Sequence, residues 1–275
     1  MLKKISLAAV GVMGVAAAVG AQAEDIRPGQ ERFEVILGAF LPAFDTDVKV
    51  DGETNAGNRF NLGDKLGVSR DEIGYLVGFG WRFKEKHRIG FTYSSFTLNG
   101  KRTIDEEIEI GDNLYPVDAT LKTQQKLEII PITYSYSFIN DETQEFAVTA
   151  GIHWNSVTLS VKGSTADQSF QASNKASAEL PLPLFGVRYE RHFNPSWTAG
   201  IAASVFSIEF GEDQLDAKGS LWNTRLFGEY HFAGRYSAGL AVDGFKLNLD
   251  MNKPRWQGDY DWGYWGPQLY ISARF

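Results

Sequence analysis

The side chains able to do chemistry are few. The chain holds four histidines (His87, His153, His192 and His231) and no cysteine. Without thiols there is no disulfide, no Cys-ligated zinc, no thiol nucleophile and no acylated N-terminal cysteine. A hydrolase would need an imidazole beside a hydroxyl or carboxylate. If alternate residues share a face, His153 stands with Asn155, and Ser156 falls on the opposite face. His87 lies in a short polar stretch, while His192 and His231 lie near segment ends. One mid-segment imidazole without a Ser or Asp partner is not a triad, so the reading is not an enzyme, with a hydrolase as the alternative. No cofactor is expected either. Gly63-Asp64-Lys65-Leu66-Gly67 is a loop segment that does not join a strand to a helix in the manner of a phosphate-binding motif.

A second set of polar residues recurs at spacing two. Arg188, Glu190 and His192 share one parity, as do Arg225, Glu229 and His231; Glu34, Arg82, Tyr270 and Arg274 stand alike in their own segments. The elements that carry them also have period two. From Ile73 to Phe83 the odd positions read Ile73, Tyr75, Val77, Phe79, Trp81 and Phe83. At the C-terminus Trp265, Pro267, Leu269, Ile271, Ala273 and Phe275 share a face. Similar runs occur in about ten places, and successive side chains of a strand point to opposite faces. Small residues fill the other face in several segments: Gly78, Gly80, Gly90, Thr92, Ser94, Thr149, Gly151, Gly200, Ala202, Ser204 and Gly239.

Composition agrees with two such faces. Of 275 residues 43% are hydrophobic and 22% charged, with 28 Gly, 19 Phe, 11 Tyr and 7 Trp. The mean hydropathy of −0.24 excludes a bundle of transmembrane helices, each needing about 20 apolar residues. Lys+Arg 27 against Asp+Glu 34 gives −7, which disfavours nucleic acid as a partner. Residues 1–23 read as a secretory signal peptide: Lys3 and Lys4, an apolar stretch from Ile5 to Val19, and cleavage after Ala23 in Ala21-Gln22-Ala23. Loss of the two lysines makes the mature chain −7 − 2 = −9.

Strands 88–110 and 114–139 look long for a soluble sandwich, and apolar faces ending in aromatic residues fit a lipid-facing band with girdles. The expected fold is all-β, one antiparallel transmembrane β-barrel over 24–275, with an exported, outer-membrane location. Four short turns, at 84–88, 139–145, 194–196 and 233–235, alternate with the longer loops 51–72, 163–178, 211–218 and 251–258, and with 111–114, which is short. That gives ten strands with both termini periplasmic: 31–50, 73–84, 88–110, 114–139, 144–162, 178–193, 197–211, 215–232, 236–250 and 259–275. Eight or twelve would follow if 44–72 is misread, where Arg59-Phe60-Asn61-Leu62 could extend a strand. The run 163–178, rich in Ser, Ala and Gln, reads as a mobile loop.

The signal peptide, the alternating strands and the terminal Tyr270-Ile271-Ser272-Ala273-Arg274-Phe275 resemble Gram-negative outer-membrane β-barrel proteins. The resemblance implies that Phe275 ends a signal read by the barrel-assembly machinery. It implies lipid and lipopolysaccharide as the surroundings. The inward face would then carry a charge network of Glu34, Arg82, Arg188, Glu190, Arg225, Glu229 and Arg274. In a lumen this narrow these side chains pair and plug it, in a structural protein, or line a narrow path for small solutes or ions. Asp105, Glu106, Glu107, Glu109 and Asp112, with Glu212, Asp213, Asp216, Asp259 and Asp261, place carboxylates at loop tips. They either contact Ca²⁺ or Mg²⁺ against lipopolysaccharide phosphates or form a solvated acidic rim.

Overall fold

A computed structural model describes residues 29–49, 59–110, 113–212, 215–232, 234–253 and 256–275. The signal peptide and Asp112 and Asp213 lie outside the described residues. The elements run β1 (Phe33–Phe40), β2 (Ala43–Lys49), β3 (Arg59–Asn61), α1 (Leu62–Leu66), β4 (Gly74–Lys84), β5 (His87–Thr103), β6 (Ile108–Ile110), β7 (Asn113–Tyr115) and β8 (Thr120–Asn140). They continue with β9 (Gln144–Ser164), β10 (Gln171–Asn194), β11 (Trp197–Glu212), β12 (Leu215–Phe232), β13 (Tyr236–Lys253) and β14 (Trp256–Arg274). Every main pairing is antiparallel, and β1 pairs with β14, from Glu34↔Arg274 to Phe40↔Gln268. β1 and β2 are two halves of one stave, so the barrel closes with ten.

Three sequence expectations are corrected. The strands around 104–119 end earlier than expected, at Thr103, and restart at Thr120, while β6 and β7 form a separate small hairpin. The segment 163–178 is mostly strand: β9 and β10 pair up to Ser164↔Gln171, leaving only 165–170 as the turn. Its small polar side chains face water on a β-ladder rather than forming a free loop. Residues 62–66 are a helix, not loop, because Asn61 Oδ1 accepts from the Gly63 and Asp64 amides and caps it. Gly67, at φ +64, closes its other end. The strand extension at Arg59–Asn61 is present as β3, paired with β2.

Prolines mark where ladders stop. β10 pairs with β9 without a break from Gln171 to Arg191, but with β11 only from Phe185↔Val205 downward. Pro181 and Pro183 lie just above that point, two residues apart, so both face the same neighbour. Since the β9 ladder is continuous, their missing donors fall on the β11 side. The β5–β8 rungs skip from Phe91↔Ile132 to Ser94↔Ile129 around Pro131. The break between β1 and β2, at Leu41-Pro42, lies opposite Gly266 and Pro267, where only Leu41 N donates to Pro267 O (3.0 Å).

The side-chain faces exchange character halfway up. Toward the short-turn end the outward positions are large and apolar: Phe79, Ile132, Phe185, Leu226, Leu240, Leu269 and Ile271 are all exposed. This is the lipid-facing belt of a transmembrane barrel. Toward the long-loop end the order reverses. On β8, Leu121, Leu127 and Ile129 are buried inward, while Lys122, Gln124 and Lys126 face out. The expectation of a small, polar inner face therefore holds for only half the barrel. Above the belt the wall stands in water and encloses an apolar core, as a soluble barrel does.

Candidate functional site

The lumen is where the inward-facing charges meet, and side chains cross it at two levels. At the short-turn end the inward parity of six staves brings acids and bases together. Glu145 is the centre. Arg82 Nη1 and Nη2 donate to its two oxygens (3.2 and 2.9 Å), Arg188 Nη2 donates to Oε1 (2.8 Å), and Ser137 donates as well. Arg188 also binds Glu190, and Arg88 binds Glu34. Glu31 lies 3.7 Å from Arg82 and 3.9 Å from Arg88. The Arg82 and Glu145 side chains are 5% and 1% exposed, a burial that charges tolerate only when paired.

The chain itself crosses this mouth before β1. Arg32 N and Phe33 N donate to the backbone oxygen of Phe275 (2.7 and 2.8 Å), and Asn140 Nδ2 donates to Gly29 O (3.4 Å). Gly29 has φ +80, a conformation that suits glycine. Phe275 thus ties β14 to the start of β1.

Two further clusters lie beside this layer. Arg225 Nη1 donates to Asp243 Oδ2 (2.9 Å) and Gln268 Oε1 (2.6 Å), and its guanidinium lies 5.3 Å from the Tyr270 ring centre. The Tyr270 hydroxyl donates to Glu229 (2.8 Å). The third cluster runs through Thr198, whose hydroxyl meets His231 Nε2 (2.8 Å) and His192 Nδ1 (3.0 Å), while Arg274 binds His231 Nδ1. An arginine only donates, so His231 Nδ1 accepts and its Nε2–H points at Thr198. That tautomer makes His231 a donor to the hydroxyl, not a base for it. Glycines make room for these long side chains. A Cβ on Gly80 would come within 2.8 Å of Arg88 Nη2, and one on Gly239 within 2.2 Å of the Tyr270 ring.

The upper seal is apolar. Phe40 meets Phe96 and Tyr264 edge-on (5.6 and 5.4 Å between ring centres), and Phe245 stacks on Tyr264 (5.1 Å) and on His153 (4.7 Å). Trp262 adds to it, with Leu62, Leu66 and Val68 packed in the same cluster. A cavity of about 290 Å³ runs along the lumen from the charged layer, at Glu34, Arg88 and Arg188, to the aromatic one, at Phe40 and Tyr264, with Thr92, Thr133, Thr149 and Ser204 on one wall and Arg225 and Tyr270 on the other.

All seven expected lumen charges, Glu34, Arg82, Arg188, Glu190, Arg225, Glu229 and Arg274, sit inward, distributed over these three clusters. Sequence reasoning left out Glu31, Arg88, Glu145, Asp243 and Thr198. Arg88 and Glu145 fall where the expected turns 84–88 and 139–145 overlap the strands 88–110 and 144–162, and each has the inward parity of its strand; Asp243 has the parity of Gly239. His153 is buried at 2% exposure, the Asn155 amide donates to the His153 backbone oxygen (3.2 Å), and among the described residues no hydrogen bond joins a hydroxyl to its ring. Ser156 points away, as expected. His87 begins β5 and meets the Tyr134 hydroxyl (2.6 Å).

The acidic tips are not gathered. Asp105, Glu106, Glu107 and Glu109 are exposed, and Glu106 pairs with Lys65. Among the described residues no group of three or more His, Asp or Glu is placed to hold a metal ion. In the turns, carboxylates serve the backbone. The Thr143 hydroxyl, with the Thr143 and Gln144 amides, holds the Asp141 carboxyl below its usual range. The Thr165 and Ser169 hydroxyls and the Ser169 amide hold Asp167 down to about 2.

No protein-family model matches the chain, and no curated protein matches it. Solved structures do. The outer membrane protease OmpT from Escherichia coli superposes with a TM-score of 0.58 at 8% identity, over 92% of this chain and 100% of that one. The Pseudomonas putida toluene transporter TodX gives 0.38 at 8% identity, over 90% and 92%. Ail, the attachment invasion locus protein of Yersinia pestis, gives 0.36 at 8% identity, over 87% and 99%. The fold is the closed antiparallel β-barrel of Gram-negative outer-membrane proteins. Identities this low carry fold and no activity.

Proposed function

We propose that the protein is an integral outer-membrane barrel that conducts no solute, a structural element of the membrane that carries a water-facing extension outside it. The short turns lie in the periplasm and the long loops outside, in keeping with the signal peptide read at Met1–Ala23. The observation that supports this reading is the double closure of the lumen. The ion-pair layer around Glu145 and the aromatic layer around Phe245 lie in series across the bore of a ten-stranded barrel, which is only slightly wider than one that side chains fill. A hydrolase is disfavoured because His153 stacks on the Phe245 ring and His231 donates to the hydroxyl it meets. Purified, heat-modifiable protein reconstituted in a planar bilayer tests the closure. It should give no steady single-channel steps in salt solution; reproducible open-state steps would make it a narrow pore instead.

A further inference from the structure

Three lysines stand side by side on the outer wall of the barrel, above the apolar belt. Lys101 of β5 pairs with Lys122 of β8, and Lys122 pairs with Lys162 of β9. All three are exposed, while Leu121, Thr123, Val161 and Gly163 next to them turn inward and are buried. Lys175 of β10 pairs with Ser160 and stands diagonally beside Lys162, also exposed. Directly paired side chains have Cβ atoms about 4.5–5.5 Å apart, and like charges so placed destabilise a sheet. Among the described residues none of the four lysines is in an ion pair. The acids of the same outer face lie lower: Glu128, which takes Lys126, and Glu179, both paired with Ser156.

The height of the row fixes what it meets. On β8 and β9 the belt ends at the paired Ile130 and Trp154, and Lys122 and Lys162 lie eight residues further along. Eight residues span about 26 Å of strand. At a strand tilt of about 40° that is about 20 Å above the belt. Resting on the outer-membrane placement proposed above, this is beyond the lipid phosphates and level with the core sugars of the surrounding lipopolysaccharide. A row of unpaired ammonium groups matches phosphate groups on those sugars, and a bound phosphate relieves the repulsion within the row.

We propose that Lys101, Lys122 and Lys162, flanked by Lys175, form a docking surface for the phosphorylated core oligosaccharide of neighbouring lipopolysaccharide. The folded full-length mature protein in detergent is titrated with lipopolysaccharide carrying a phosphorylated core and with the same lipid stripped of its core. The triple variant K101Q/K122Q/K162Q is compared with wild type and with K65Q, which alters a lysine already paired with Glu106. Wild type and K65Q should prefer the core-bearing lipid, and the triple variant should bind it at least tenfold more weakly with unchanged affinity for the core-less lipid. Without lipid, the triple variant should melt no lower than wild type, since repulsion is removed. It should lose the Tm rise that core-bearing lipid gives wild type. Equal binding of the two lipids by wild type, or equal binding of the core-bearing lipid by the variant, overturns the inference. So does wild type binding a soluble sulfated polysaccharide while ignoring lipopolysaccharide. Fractionation of cells separates the two readings: protein found in the outer membrane whose lipid binding ignores the lysines loses only this inference, and protein absent from that fraction loses both.

Discussion

Glu145 accepts from Arg82, Arg188 and Ser137 at once in a nearly water-free layer. Removing it leaves the buried Arg82 guanidinium with Glu31, at 3.7 Å, as its remaining carboxylate, and leaves Arg188 with Glu190 alone. Loss of one member of a buried ionic cluster costs about 3–5 kcal/mol, so Glu145→Ala should lower resistance to unfolding by roughly that amount. The measurement is the urea midpoint of the unfolded, heat-modified form; a variant as stable as wild type would mean that water already shares the layer. Glu145→Gln should fall between, since it keeps one acceptor oxygen but loses the charge. Residues of this kind were partly legible. Period two placed Arg188, Arg225 and Glu229 inward, because a strand alternates without exception between its ladder breaks. It did not single out Arg88 and Glu145, because they stand where strand and turn overlap and a polar residue there reads equally as a turn end.

Elements obey the same alternation, but their ends obey hydrogen bonding. Polar strand stretches such as 171–178 look like loops when only apolar periodicity is counted. They are strands here because a wall standing in water needs apolar residues on its inner side only. The prolines show the complementary case. Pro181 and Pro183 have no donor toward β11, and the ladder stops at Phe185↔Val205. Pro181→Val with Pro183→Val should therefore let β10 and β11 pair further upward, so that the new amides at 181 and 183 exchange slowly with deuterium. Exchange at open-loop rates would show instead that packing of Leu180, Leu182 and Phe206 holds the two strands apart.

At the scale of the whole molecule, two seals in series make each one redundant for closure. Arg188→Ala with Glu190→Ala should loosen the lower layer yet leave liposomes impermeable to small sugars, because the aromatic layer still fills the bore. Phe96→Ala with Phe245→Ala should do likewise. All four changes together should make liposomes swell, since voids then connect through the cavity between the layers. Swelling with either pair alone would mean that one seal does all the closing; no swelling with four would mean that smaller side chains repack.

Sequence alone determined the fold class, the ten staves, the short-turn and long-loop ends and the inward parity of the charged residues. These follow from rules that act between residues one or two positions apart, and such rules are written along the chain. Which inward charges meet, that Glu145 rather than Arg188 lies at the centre, that the faces exchange character above the belt and that three lysines form a row were decided by tertiary structure alone. Register joins residues from opposite ends of the chain, as with Glu34 and Arg274, and brings together Arg82 and Glu145, 63 positions apart, while the membrane boundary is a plane that crosses every strand at a height set by tilt and shear. Neither quantity has a local signature.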